Sequence, residues 1–333
     1  MAGPVGEQPG RARSAKGKQV AALRPGARSP PPASNNFLAP IGGEDEGEGA
    51  SLSYDHNKKA GNQGDVVKHV ALVAALDTIL KTWPKDKEVF GYADLFAGYA
   101  QNQLGEGNEW KQGIGKLVGL EELTENEHVK LWSKLCLPSS KSELENWEYP
   151  GSSMIAYKLC KDQQKVAQLS LWDTSKSVFD DLSAVFGGHS HNLYQRPAKP
   201  DEDAVQNADL ILIDPPGLGE DKGFPSWRSI REFCRSREGQ SIIVWLPVNA
   251  NATKKPPTEG KQSQEIRKEA LEELGFHATK VRWAVGGHTI GCQLIFRLPQ
   301  DAGNALRIAV DSIVSVASWQ SDLSVHACVH YPP

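Results

Sequence analysis

Cysteine is scarce and unpatterned in this sequence of 333 residues. Its five cysteines (Cys136, Cys160, Cys234, Cys292, Cys328) form no C-x-x-C pair and no His/Cys cluster. That speaks against a disulfide scaffold and against a structural zinc site. No run approaches the length of an apolar membrane span, so no transmembrane helix is expected. A strong charge of either sign is missing as well: the formal net charge is −4. With 39% hydrophobic residues the chain has enough apolar side chain for a proper core, in one large or two ordinary domains. The expectation is a soluble, cytoplasmic, globular protein with no metal.

Large apolar residues are also few and scattered in positions 1–50 (Val5, Val20, Leu23, Phe37, Leu38, Ile41), which carry 7 Pro and 9 Gly. Such a stretch cannot offset its ordering entropy by burial and reads as a disordered tail. Up to Pro40 it holds six basic residues (Arg11, Arg13, Lys16, Lys18, Arg24, Arg28) against Glu7, and an acidic knot of Glu44, Asp45, Glu46 and Glu48 follows. A basic leader is compatible with organelle targeting or with a nucleic-acid arm, although its Gly/Pro density does not suit an amphipathic helix. Without the tail, 31 basic and 36 acidic residues remain. Any nucleic-acid contact of the core is therefore local.

What remains, residues 51–333, alternates. DVVKHVALVAALDTILKTW, from Asp65, is apolar on most of its circumference and is closed by Pro84, the pattern of a buried helix. EVFGYADLFAG, ADLILIDPP and QSIIVWLPV are short β-rich runs stopped by glycine or proline, as buried parallel strands are. Helical segments are expected around Glu122–Leu135, Ser153–Lys161, Ser177–Val185 and Ser263–Leu274. HATKVRWAVG and TIGCQLIFRL, separated by Gly287 and His288, read as an antiparallel hairpin. The expected fold is α/β, a Rossmann-like class I S-adenosylmethionine-dependent methyltransferase fold, with a small inserted helical subdomain at about 105–150.

Ligands of open α/β sheets bind beyond the carboxyl ends of the strands. Two such ends stand out. In Asp94-Leu95-Phe96-Ala97-Gly98 the glycine permits close backbone approach to a ligand, and the acid can take a hydroxyl or an ammonium. Asp214-Pro215-Pro216 follows LILI directly. Methylating an exocyclic amine needs acceptors for its N–H bonds, so that the nitrogen lone pair faces the methyl donor. A carboxylate supplies one acceptor, and a carbonyl in a proline-stiffened turn supplies a second.

At these residues the chain resembles the bacterial methyltransferase J family, which methylates the N6 amine of an adenine in large-subunit (23S) ribosomal RNA. LSYDHNKKAGNQGDVVKH (Leu52–His69) is similar to the family's opening S-Y-x-H-x-x-x-A-G-N-x-x-D-V-x-K-H. YPGSS (Tyr149–Ser153) looks like its Y-P-G-S-P, and DLFAG, LILIDPP, VWLPV and the final hairpin follow in the family's order. The resemblance implies S-adenosyl-L-methionine as cofactor, held by Lys68, His69, Phe96, Gly98, Ser152, Asp173 and Asp214, with Asp214 the catalytic acceptor. It further implies ribosomal RNA as partner, with Pro215, Pro216, Tyr54 and His56 toward the substrate, and a monomer or weak dimer. The alternatives are a catalytically impaired relative retained for RNA binding or ribosome assembly, and an enzyme with another acceptor, DNA adenine or a protein amide.

The chain also departs from the family's pattern. The D-P-P-Y aromatic that stacks on a flipped adenine is here Gly217, with Phe224 or Trp227 as candidate substitutes. Phe96 stands where the family has histidine. The acid expected after the LSLW strand aligns with Leu171 or Trp172, so that Asp173 is one or two places late. Asp55 and Lys59 enter a stretch that is basic and histidine-rich in the family, and no acid-glycine pair precedes LILI. Trp172, Trp245 and Trp283 are read as core, His189 and His191 as a loop without a metal, and Lys254, Lys255 and Lys261 as a basic loop within reach of phosphates.

Overall fold

The computed structural model describes residues 59–105, 109–119, 124–188, 191–216, 225–248, 274–285 and 288–321. Tyr54, His56, the tail, Gly217, Phe224, the lysine loop at 254–261, His189 and all but the last residue of the expected helix Ser263–Leu274 lie outside them.

The first helix, α1 (Gln63–Lys81), begins two residues before Asp65 because Asn62 caps it, its side chain accepting from the Asp65 N–H. Asp65 in turn accepts from the Gly61 N–H at 2.9 Å, so the entry to the helix is tied down from both sides. Fifteen of its 19 residues are buried, since it runs between the sheet and the C-terminal helix α6 (Gln300–Val316). A helix apolar all round has to be covered on every face.

The main sheet has eight strands. Four parallel neighbours, β5 (Asn192–Tyr194), β4 (Val166–Trp172), β1 (Val89–Asp94) and β6 (Leu210–Ile213), lead to β7 (Ser241–Val248), which is parallel to β6. Beyond β7 come β9 (His288–Arg297), β8 (His277–Val285) and the short β10 (Gln320–Ser321), all antiparallel to their neighbours. Val285 pairs with His288, so the ladder takes in a residue that the sequence reading leaves between the two strands. His288 is drawn into the ladder. The core strand β6 is wholly buried, which explains its unbroken LILI.

Between β1 and β4 the chain makes an excursion. It contains β2 (Gln101–Gln103), α2 (Glu127–Cys136) and β3 (Glu148–Pro150), with β2 and β3 forming a separate antiparallel ladder. The helix expected from Glu122 starts at Glu127, because the Asn126 side chain accepts from the N–H groups of His128 and Val129 and caps it there. Trp110, Ile114, Val129, Trp132 and Tyr149 of this excursion are buried in the same apolar core as α1. The helices α3 (Ser152–Asp162) and α4 (Lys176–Phe186) flank β4 in the chain, each within a residue of its sequence-read bounds. Trp172 and Trp283 are buried, and Trp245 is half-buried against the core.

Candidate active site

With β4 and β5 on one side of β1 and β6 and β7 on the other, the strand order reverses direction beside β1. Open sheets of this kind bind ligands at such a point, at the carboxyl ends of β1, β4 and β6. Gly98, Asp173 and Asp214 are all at these ends.

Asp94, the last residue of β1, is completely buried. Its Oδ2 accepts from the Ser152 hydroxyl at 2.5 Å and from the Tyr92 hydroxyl at 3.1 Å, and its Oδ1 accepts from the Phe96 N–H. Burial, opposed by the Ser152 hydrogen bond and reinforced by the nearby Asp214 charge, lifts its carboxyl to about 6. Ser152 opens α3, and Gly151 before it is dictated by the backbone: a Cβ there would lie 2.1 Å from the Tyr99 carbonyl oxygen. The Gly151 N–H donates to the Ala100 carbonyl, locking the β2–β3 ladder onto the turn after β1.

In that turn Gly98 has φ +61°, a left-handed conformation that suits glycine. Its N–H donates to Asp173 Oδ2 at 3.3 Å, while Asp173 Oδ1 accepts from the Ser175 N–H at 2.7 Å. Asp173 thus fastens the β1 turn to the end of β4. Phe96 is half-buried against the smaller apolar cluster, which also receives Trp227, the first residue of α5 (Trp227–Ser236).

Asp214 directly follows β6, with Pro215 buried and Pro216 partly exposed. Its Oδ2 accepts from Lys68 Nζ at 2.5 Å, and Lys68 Nζ also lies 2.8 Å from Asp65 Oδ1. Burial alone would push the lysine ammonium down. The Asp214 and Asp65 charges overcome it and raise the ammonium above its ordinary range. Its neighbour His69 is buried, with Nδ1 at 2.8 Å from the Tyr149 hydroxyl and its ring stacked on that of Tyr149. Burial, helped by the Lys68 charge, pulls its pKa to about 3, so the imidazole is neutral at physiological pH. Its Nε2 is buried and has no hydrogen-bond partner among the described residues.

Lys68, His69, Ser152, Gly98, Asp173 and Asp214 therefore converge on one end of the sheet. Asp65, Tyr92, Tyr149 and Gly151 were not singled out as parts of it, although Asp65 lies in the family-like opening and Tyr149 and Gly151 in YPGSS. His191 is elsewhere: its Nδ1 accepts from the Leu169 N–H, and its ring meets Tyr157 and Phe186 edge-on. Among the described residues no group of His, Cys, Asp and Glu is placed to hold a metal, and no helix is long and apolar enough to cross a membrane.

A parallel half-sheet centred on β1 and finished by an antiparallel hairpin strand inserted beside β7 is the class I S-adenosylmethionine-dependent methyltransferase fold. The crystal structure of protein LPL1258 of Legionella pneumophila is similar to it, with a TM-score of 0.56 at 19% identity, over 79% of this chain and 97% of that one. In sequence the chain resembles Ribosomal RNA large subunit methyltransferase J of Haemophilus influenzae, 27% identical over 235 residues, which are 67% of this chain and 80% of the relative. The protein of the same name from Escherichia coli is 29% identical over 174 residues, 50% of this chain and 59% of the relative. No family model matches.

Proposed function

We propose that this protein is an S-adenosylmethionine-dependent methyltransferase that places a methyl group on the N6 amine of an adenine in 23S ribosomal RNA. The observation that carries this is Asp214 at the end of β6, on the switch point beside β1, with Pro215 and Pro216 next in the chain. The resemblance to two ribosomal RNA methyltransferases J supports the substrate class.

The residues present fit the cofactor. Asp65, Asp94 and Asp214 set three carboxylates against the single ammonium of Lys68, an environment that favours a sulfonium cation. The buried Nε2 of His69 is a polar atom awaiting a partner, and the Gly98 turn allows the backbone to come close. When bound, the cofactor supplies a methyl group on positively charged sulfur. Ser152, Gly98 and His69 would hold it, with Asp173 fixing the turn that carries Gly98.

The chain's own part is positioning. Asp214 accepts an N–H of the adenine amine, and the Pro215 carbonyl, in a turn stiffened by Pro216, takes the other. The nitrogen lone pair is thereby aimed along the line of displacement. An adenine in a helix has to leave its stack to reach these groups, so an unpaired or easily opened RNA element suits the site. Gly217 offers no ring to stack on that base, and this favours a second reading, a relative that binds RNA without turnover.

The test is incubation of the protein with methyl-labelled cofactor and, separately, protein-free 23S ribosomal RNA, duplex DNA and ribosomal proteins, followed by nucleoside and amino-acid analysis. N6-methyladenosine from the RNA alone is expected. Label in DNA or protein would replace the acceptor, and RNA binding without label would favour the second reading.

A further inference from the structure

Lys68 is an unusual residue for its place. It lies on α1, a helix buried on nearly all its circumference, and its own side chain is only 12% exposed. Leaving an ammonium in such a place without partners costs several kcal/mol, roughly, so its partners reveal its use. Both are carboxylates of this chain: Asp65 one turn earlier at 2.8 Å, and Asp214, 146 residues away, at 2.5 Å. Asp65 is itself fixed by the Gly61 N–H. Gly61 has φ +73°, and its carbonyl accepts from the Ile114 N–H of the excursion. A continuous path of hydrogen bonds thus runs from the excursion through Gly61, Asp65 and Lys68 to the carboxylate at the end of β6.

We propose that Lys68 is a positioning residue for Asp214: anchored by Asp65, its ammonium fixes the orientation of the Asp214 carboxylate and keeps it ionised, rather than holding the cofactor. This rests on the methyltransferase reading above. An aspartate that must accept an N–H is useless once protonated, and a cation held against it favours the ionised form. Groups close enough to act on it include Lys68 on α1, Tyr92 and Asp94 on β1, and Cys292 on β9. Lys68 is the cation in that set. The Asp94 carboxylate beside it repels a second negative charge, and Lys68 offsets that repulsion.

The experiment compares the full chain with its Lys68→Met and Lys68→Arg variants. It measures the single-turnover methyl-transfer rate on 23S ribosomal RNA from about pH 5 to about pH 9, and S-adenosylhomocysteine binding by calorimetry. For Lys68→Met we expect unchanged cofactor affinity, about a hundredfold lower rate at neutral pH, and an acid limb moved up by about one pH unit or more. Lys68→Arg keeps the charge and should keep the limb in place while losing part of the rate. Asp94→Asn identifies the portion of the limb that belongs to Asp94. If Lys68→Met loses cofactor binding, or its rate falls with no movement of the limb, Lys68 does not act through Asp214.

Should Lys68→Met fail to fold, Asp65→Asn decides. It removes the anchor without removing the cation, so a slower rate with the limb unmoved is expected, and an unchanged rate contradicts the proposal. If the wild-type chain binds the cofactor but methylates nothing, the function proposed above is wrong. The Asp214 carboxyl is then followed directly by carbon NMR titration, assigned with Asp214→Asn. A higher titration point in Lys68→Met, or in Lys68→Gln if Lys68→Met does not fold, still supports the role of Lys68, and an unchanged one overturns it.

Discussion

The Ser152 hydroxyl donates to Asp94 Oδ2 at 2.5 Å, joining the first residue of α3 to the last residue of β1 across 58 positions of sequence. Both groups are buried, so the bond fixes the end of β1 and leaves the carboxylate dependent on few donors. Ser152→Ala should cost about 1 to 3 kcal/mol, the penalty of a buried acceptor losing its donor. Urea unfolding at neutral pH measures it.

Two buried groups should pull stability in opposite directions as pH changes. Asp94, lifted to about 6, binds its proton more tightly folded than unfolded, so its contribution is complete below about pH 4 and is lost as pH rises through 6. His69, lowered to about 3, does the reverse: its contribution is present above about pH 6.5 and is lost as pH falls toward 3. Between about pH 4 and 6 the two slopes nearly cancel. Asp94→Asn should therefore uncover a loss of about 2 to 3 kcal/mol on acidification across that window. Denaturant titrations at several pH values check this, and an Asp94→Asn slope equal to that of the wild type would contradict it.

Gly151→Ala brings a Cβ against the Tyr99 carbonyl, where backbone has to move on both sides. A loss of about 3 kcal/mol or more is expected. Gly98→Ala requires a left-handed alanine, at about 1 kcal/mol. Thermal melting should rank the two in that order.

Asp173→Ala removes the acceptor of both the Gly98 and Ser175 N–H groups. The β1 turn loses its tether to β4, and S-adenosylhomocysteine affinity should fall about tenfold, the equivalent of one such bond. Calorimetry reads it directly. Unchanged affinity would mean that the turn holds its shape without Asp173.

Much of the fold was legible because the local signals agreed with it. LILI stopped by Asp-Pro-Pro, and two β-rich runs a turn apart, each carry their structure in a few neighbouring residues; SIIVWLPV is a strand as expected, but Pro247 does not stop it, since its pairing with β9 runs on to Val248. Helix starts were less legible, since Asn62 and Asn126 cap through local side-chain bonds that many asparagines could make. The site was legible in part: Asp214 and Gly98 lie at strand ends that the sequence marks. The partners were hidden, because Lys68 meets Asp214, and Ser152 meets Asp94, only through the strand order. Gly151 was visible only as part of YPGSS, and the Tyr99 carbonyl that requires a glycine there is a neighbour only in the folded chain.

The most direct measurement is methyl transfer from labelled S-adenosylmethionine to protein-free 23S ribosomal RNA by the wild-type chain and by Asp214→Ala, with RNA binding measured in parallel. The account predicts N6-methyladenosine from the wild type, none from Asp214→Ala, and equal RNA binding by both. Full activity in Asp214→Ala, or no transfer by the wild type despite cofactor and RNA binding, would contradict it.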